Sequence, residues 1–252
     1  MPAILLFPFG LIIGSFATAV AHRLPRGESV VTGRSRCPGC GEMIAAYDNV
    51  PVFSWLALRG RCRRCAEPIS ARYPVTELAM ALLFTATALV LGTDDLGELA
   101  LGLVLCATLV TITLTDLERR VIPNAVLAVS AAIGLGIIVA TDPASLPERA
   151  AAALGAGGLL FIVAVAYPRG MGMGDVKLAA VMGLFLGRAV VPALAVAITA
   201  GALVGLVMMA RQGSGARKSA IPFGPFLALG GIVGLLAGDA MLDAYLNAFV
   251  RQ

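Results

Sequence analysis

The sequence is poor in charge: of 252 residues only 19 are Lys or Arg and 15 are Asp or Glu, while 59% are hydrophobic. With a mean hydropathy of +0.90, this composition excludes a soluble globular domain and points to an integral membrane protein. Histidine is nearly missing. The single residue, His22, sits at the inner end of the first apolar stretch and reads as a snorkelling interfacial side chain rather than a base. The long apolar runs lack polar–apolar alternation, which excludes transmembrane strands. A basic n-region is also lacking before the first run, whose positive flank follows it, so residues 1–22 read as a retained helix rather than a cleaved signal peptide. No repeat of 20 to 50 residues stands out.

What is present is a series of eight apolar stretches of the length that crosses a hydrocarbon core, roughly 20 residues. They run about 4–22, 74–91, 98–115, 122–140, 149–167, 175–187, 189–210 and 222–249, the sixth, "DVKLAAVMGLFLG", being short. The expected fold is all-α: a polytopic membrane helical bundle with about eight transmembrane helices and a small cytoplasmic zinc-binding loop domain. Gly155, Gly157, Gly158, Gly201 and Gly205 are expected to let helices approach closely. The chain divides into a first transmembrane helix (1–22), a cytoplasmic four-cysteine zinc-binding domain (23–72) and a seven-helix membrane domain (73–252).

The basic residues set the orientation. With the first loop cytoplasmic, inside segments hold Arg23, Arg26, Arg34, Arg36, Arg59, Arg61, Arg63, Arg64, Arg72, Arg119, Arg120, Arg169, Lys177, Arg211, Arg217 and Lys218, which is 16 of the 19. Arg149, Arg188 and Arg251 fall outside, beside the acidic "TDDLGE" and "TDPASLPE". Both termini are therefore expected outside. A pI near 9.0 could suggest nucleic acid, but the basic residues follow the inside loops, so anionic lipid headgroups are the expected partner and nucleic acid is not.

The polar segment 23–72 has few large apolar side chains, chiefly Val50, Val52, Phe53, Trp55, Leu56 and Leu58, and needs a staple to fold alone. "CPGC" at 37–40 and "CRRC" at 62–65 supply one. Two Cys-x-x-Cys knuckles complete the tetrahedral shell of a structural zinc through Cys37, Cys40, Cys62 and Cys65. Nearby Arg36, Arg61, Arg63 and Arg64 offset the thiolate charge. Two disulfides are the alternative, disfavoured by a reducing cytosol; a redox role for "CPGC" would leave the second pair unexplained. Cys106 reads as a small core hydrophobe. Four thiolates leave no open position, so the metal would hold the loop rather than catalyse.

Acids are costly in a bilayer, and one beside helix-breaking sequence is a functional candidate. "LTDLERRVIPN" ends the third stretch with Asp116, and "GMGMGDVKL" opens the sixth with Asp175. The topology puts both on the cytoplasmic face. Two close carboxylates suit hydrolysis of an amide: one ionised acid takes a proton from water while its protonated partner polarises the carbonyl. Glycines before Asp175 would let a substrate backbone approach. Each acid alone also fits a structural role, since a helix-first Asp suits the dipole and Asp116 could pair with Arg119 or Arg120. Glu77 could be a third acid of the site or a partner for Arg72, and Asp239 and Asp243 face the outer headgroups.

Five motifs in order, "GSFATAVAHRLP", "CPGCGEMIAAYDNVPVFSWLALRGRCRRCAEPISARYPVTEL", "DLERRVIPN", "GMGDVKLAA" and "IPFGPFLALG", resemble the type IV prepilin peptidases, membrane aspartic proteases of the GxGD kind, over nearly the whole chain. The resemblance implies removal of the basic leader of prepilins or pilin-like secretion subunits at the cytoplasmic face of the inner membrane, with Asp116 and Asp175 as the catalytic pair. It further implies methylation of the new N-terminal residue with S-adenosylmethionine, an activity associated with the long cytoplasmic loop. The first helix departs from the pattern, reading "ATAVAH" where the family usually has a more polar, asparagine-bearing stretch. The alternatives are a peptidase without methyl transfer, a non-catalytic zinc-bearing assembly protein, and an ion-coupled transporter, which would place its acids near the bilayer midplane.

Overall fold

The computed structural model describes residues 3–30, 32, 35–168, 170–212 and 222–249. Arg34, Arg169, Arg217, Lys218 and Arg251, and Ile221 of the last motif, lie outside them. In lipid every backbone amide must be satisfied within its own segment, and the apolar stretches are helices: α1 (Leu6–Arg23), α3 (Arg72–Leu91), α4 (Leu96–Arg119), α5 (Asn124–Thr141), α6 (Leu146–Ala166), α7 (Met173–Leu186), α8 (Val190–Gln212) and α9 (Gly224–Phe249), with the short α2 (Phe53–Ala57) in the polar segment. The described residues contain no strand.

Among the described residues seven stretches are long and apolar enough to cross a membrane, one fewer than the sequence stretches because the sixth and seventh run together as Met173–Arg211, 39 residues. At about 1.5 Å per residue that is roughly twice the ~30 Å hydrocarbon core. The run folds back on itself. Gly187, in the left-handed region at φ +53°, breaks it between α7 and α8. A methyl group at Gly183 would meet the Ala152 backbone and one at Gly157 would meet Ala180, so α7 runs antiparallel to α6. Likewise Gly238 and Gly234 lie against Ala189 and Ala193, and Gly230 against Ala193 and Ala197, so α8 runs antiparallel to α9. The chain is a multi-pass membrane protein.

It forms two compact units, Met1–Thr93 and Asp94–Gln252. In the first, α1 and α3 touch backbone to backbone: a Cβ at Gly10 would sit 2.5 Å from Ala81 Cα, and one at Gly14 would sit 2.7 Å from Glu77 Cα. Lipid tails are as apolar as leucine, so such close packing, not hydrophobic transfer, holds helices together here. In the second unit α4 is central. Its Leu105, Leu109 and Ile112 are fully buried with Leu178 and Met182 of α7 and Leu227 of α9, and Thr108 and Ser130 share a hydrogen bond of 2.7 Å between α4 and α5. At one end of this unit buried Arg149 (α6) donates to Glu98 (α4) and, at 2.5 Å, to the Phe185 carbonyl (α7).

One sequence expectation changes in part, and the structure adds two features of the polar segment. Gly157 and Gly201 make contacts, but Gly155, Gly158 and Gly205 face open space, because only one stripe of each helix meets a neighbour. Val50, Phe53 and Leu56 are not a core of the polar segment; they are 45%, 64% and 59% exposed. And a short repeat does exist: "RCPGCGEMI" (36–44) recurs as "RCRRCAEPI" (61–69), a unit much shorter than the 20 to 50 residues of repeat architectures.

Candidate functional site

The metal-binding candidates come from that repeat. In each copy the residue before the first cysteine bridges to the residue after the glutamate, Arg36 to Met43 and Arg61 to Pro68. The amides of Cys37 and Cys62 donate to the Glu42 and Glu67 carbonyls, at 3.0 and 2.8 Å. The turn needs a left-handed residue, supplied by Gly41 (φ +71°) in the first copy and by Ala66 (φ +58°) in the second. Trp55 Nε1 donates to the Ile69 carbonyl at 2.9 Å, fastening α2 to the second knuckle.

The two knuckles bring Cys37, Cys40, Cys62 and Cys65 together, with all four sulfurs within 4.8 Å of one another. No disulfide joins them among the described residues. Cys37 Sγ and Cys65 Sγ lie 3.6 Å apart, close to the ~3.8 Å that tetrahedral geometry with ~2.3 Å metal–sulfur bonds requires. The donor set fits a metal ion. Backbone amides of Cys65 and Arg64 donate to Cys62 and bring its thiol down to about 7. Cys65 also accepts a backbone hydrogen bond, from Glu67, but burial and its hydrogen bonds with the other three thiols push it up to about 12; a bound cation would displace those shared protons. Beside them Arg63 and Asp48 pair at 2.6 Å, which holds the Asp48 carboxyl below its ordinary range. Cys106 is buried in α4, away from this cluster, as a core residue.

The two acids belong to the second unit. Asp116 lies in the last turn of α4, which ends where Arg120 turns left-handed at φ +55°. Asp175 is in the first turn of α7. Both are buried, at 5% and 8% exposure, and the carboxyls are within electrostatic reach of each other. Each has one oxygen held by a backbone amide. Gly172 N–H donates to Asp175 Oδ2 at 3.1 Å, the carboxylate half of a capping box at the start of α7, so part of the structural role open to this acid is realised. Gly224 N–H, the first residue of α9, donates to Asp116 Oδ2 at 2.9 Å. The approach is tight: a Cβ at Gly224 would lie 2.6 Å from that oxygen. The turn after α4 is fastened to the start of α7, since Lys177 Nζ donates to Asn124 Oδ1 at 2.9 Å and Gly174 packs against Ile122.

Sequence reasoning left Gly224 without a role. The signal was a Gly-Pro pair opening a long helix, where a missing side chain permits close approach and proline suits the first turn. Glu77 takes a different part. Buried in α3, its Oε2 accepts from the Val52 amide at 2.7 Å, and it also bonds Ser15 of α1, so it braces the first unit. His22 is exposed at the end of α1, and Asp239 pairs with Arg188 at 2.9 Å.

The model of the bacterial peptidase A24 N-terminal domain matches residues 8–91, which include all four cysteines. That of the type IV leader peptidase family matches residues 103–209, which include both aspartates. A prepilin leader peptidase/N-methyltransferase of Aeromonas hydrophila is 36% identical over 98% of this chain and 94% of its own length. A protein of the same name from Burkholderia pseudomallei is 35% identical over 91% of this chain and 83% of its own. One from Bacillus subtilis is 34% identical over 96% and 97%. No solved structure matches. With relatives this similar along almost their whole length, the chain belongs to the type IV leader peptidase family.

Proposed function

We propose that this chain cleaves the leader peptide of prepilins or pilin-like secretion subunits with Asp116 and Asp175, and then methylates the new N-terminus. The observation that supports the peptidase reading is that two buried carboxyls lie in one unit within electrostatic reach of each other, each held by a backbone amide from a helix start. Two such groups share a proton. The ionised member takes a proton from water, which attacks the scissile carbonyl carbon; the protonated member donates to the carbonyl oxygen. As the tetrahedral intermediate collapses, the C–N bond breaks and the amine leaves with a proton from the pair. Asp116 and Asp175 are the only residues to which we assign these transfers.

The basic residues of the inside segments support placing this chemistry at the cytoplasmic face of the inner membrane, where the apolar helix of the substrate stays in the bilayer and its leader protrudes. They also support anionic lipids, not nucleic acid, as the surrounding partner. The tetracysteine cluster fits a structural zinc, with Cys37, Cys40, Cys62 and Cys65 as its ligands; when bound it supplies a cross-link for a segment with little core. The methyl-transfer half, with S-adenosylmethionine as donor, rests on the names of the relatives. Among the described residues we assign no site to the donor, and we derive no step through it.

The test is the intact mass of a pilin precursor co-expressed with this chain. Loss of the leader plus 14 Da, one methylene's worth of mass, is expected; leader loss without the added methyl leaves a peptidase alone, and an unchanged precursor overturns both halves.

A further inference from the structure

We infer that α2 and the residues before it, Val50–Leu56, form an element embedded in the membrane interface, with lipid as the partner of its apolar face. The inference concerns the first unit alone and does not depend on the aspartates.

The depth of this segment is set by one hydrogen bond. Val52 N–H donates to Glu77 Oε2 at 2.7 Å, and Glu77 lies five residues into α3, which begins at Arg72. At about 1.5 Å per residue this is roughly 7 Å inside the helix end. The 20 residues of α3 amount to about 30 Å, the thickness of the hydrocarbon core itself, so little of its length projects beyond the core. The other partner of Glu77, Ser15, lies eight residues before the end of α1 at Arg23, or about 12 Å from that end. Two membrane helices thus place the Val52 amide below the polar surface. A carboxyl at that depth needs partners, and a loop amide that descends to meet it supplies one.

The side chains suit that depth. "VPVFSWL" (50–56) carries no charge. Val50, Phe53 and Leu56 are 45%, 64% and 59% exposed, while the polar Ser54 turns inward and donates to the Val50 carbonyl at 2.8 Å. Apolar residues out and the hydroxyl in is the arrangement for hydrocarbon, not water. Val52 itself is held at φ +61°, a conformation unfavourable for a β-branched residue, so the segment is bent into this position against its local preference. Arg59 and Arg61 follow directly, the charge pattern of an interfacial segment meeting anionic headgroups.

The chain carries its own reporter, since Trp55 is the only tryptophan and lies within α2. The full chain is reconstituted in vesicles of phosphatidylcholine and phosphatidylglycerol containing phosphatidylcholine brominated along the acyl chain, and Trp55 emission is compared with that in unbrominated vesicles. A second chain carrying Trp55→Phe and Leu56→Trp moves the indole to the exposed face. The expected result is at least a halving of emission by bromines placed near the headgroup end of the acyl chain in the second chain, with little quenching by aqueous iodide in either. Quenching by iodide and not by brominated lipid in the second chain would mean that the segment lies in water, and shielding from both would mean that protein covers it; either overturns the inference.

Discussion

Gly224→Ala is the substitution whose effect the geometry specifies most closely. The added methyl would lie 2.6 Å from Asp116 Oδ2, 3.1 Å from its Cγ and 3.2 Å from its Cβ. The whole side chain is in the way, and it is too short to swing its far end aside. The carboxyl must therefore rotate and give up the 2.9 Å hydrogen bond from the Gly224 amide. A hydrogen bond to a charged group contributes about 1.5–3 kcal/mol, and each ~1.4 kcal/mol of lost transition-state stabilisation is tenfold in rate. A drop in kcat of roughly 10- to 100-fold follows, in line with the ~100-fold cost of misplacing a reacting group by about 1 Å. The loss is expected in kcat more than in KM, since what the Gly224 amide holds is the Asp116 carboxyl. The assay is leader cleavage of a purified pilin precursor in proteoliposomes. Gly205→Ala is the control, because that position has nothing within 4 Å and should keep full activity. Wild-type kcat in the Gly224→Ala enzyme would refute the reasoning that this amide positions Asp116.

Gly183→Ala would force a methyl to within 2.5 Å of the Ala152 carbonyl oxygen on α6, and overpacking of this kind costs about 1–3 kcal/mol; thermal unfolding in detergent should shift down, and an unchanged midpoint would contradict the close α6–α7 approach. Ala66→Gly should stabilise the second knuckle by up to about 1 kcal/mol, since a left-handed alanine costs ~1–2 kcal/mol and the flexibility of glycine offsets only part of the relief; faster proteolysis of the loop would count against it. Replacing Cys37 or Cys62 by Ser should release metal and open residues 23–72 to protease, and elemental analysis of chelator-free wild-type protein that finds no zinc would end the metal assignment.

The helices were legible because hydrocarbon imposes a length and a composition that few other structures share. Asp116 and Asp175 stood out for the same reason, as acids beside glycine and proline at helix ends. The four cysteines were readable from spacing alone. What the sequence did not display is what depends on which residue lies opposite. Glu77 looked like a third acid of the site or a partner for Arg72, yet the Val52 amide that it accepts from is 25 residues distant. Gly224 is 108 residues from Asp116, so only the folded chain brings its amide to the carboxyl. Gly155, Gly158 and Gly205 looked like packing positions and face open space, since apolar composition in a membrane helix does not tell the lipid side from the protein side. The short α2 was hidden for a related reason: Phe53 and Leu56 stood out only as two of the few large apolar residues of the polar segment, and the sequence did not display that they are exposed.

The central claim is that Asp116 and Asp175 form one catalytic pair. Its most direct test is the mass of a pilin precursor co-expressed with the Asp116→Asn chain and, separately, with the Asp175→Asn chain, each confirmed in the membrane at wild-type level. Unprocessed precursor in both is the predicted result; leader removal at the wild-type rate in either would contradict the account.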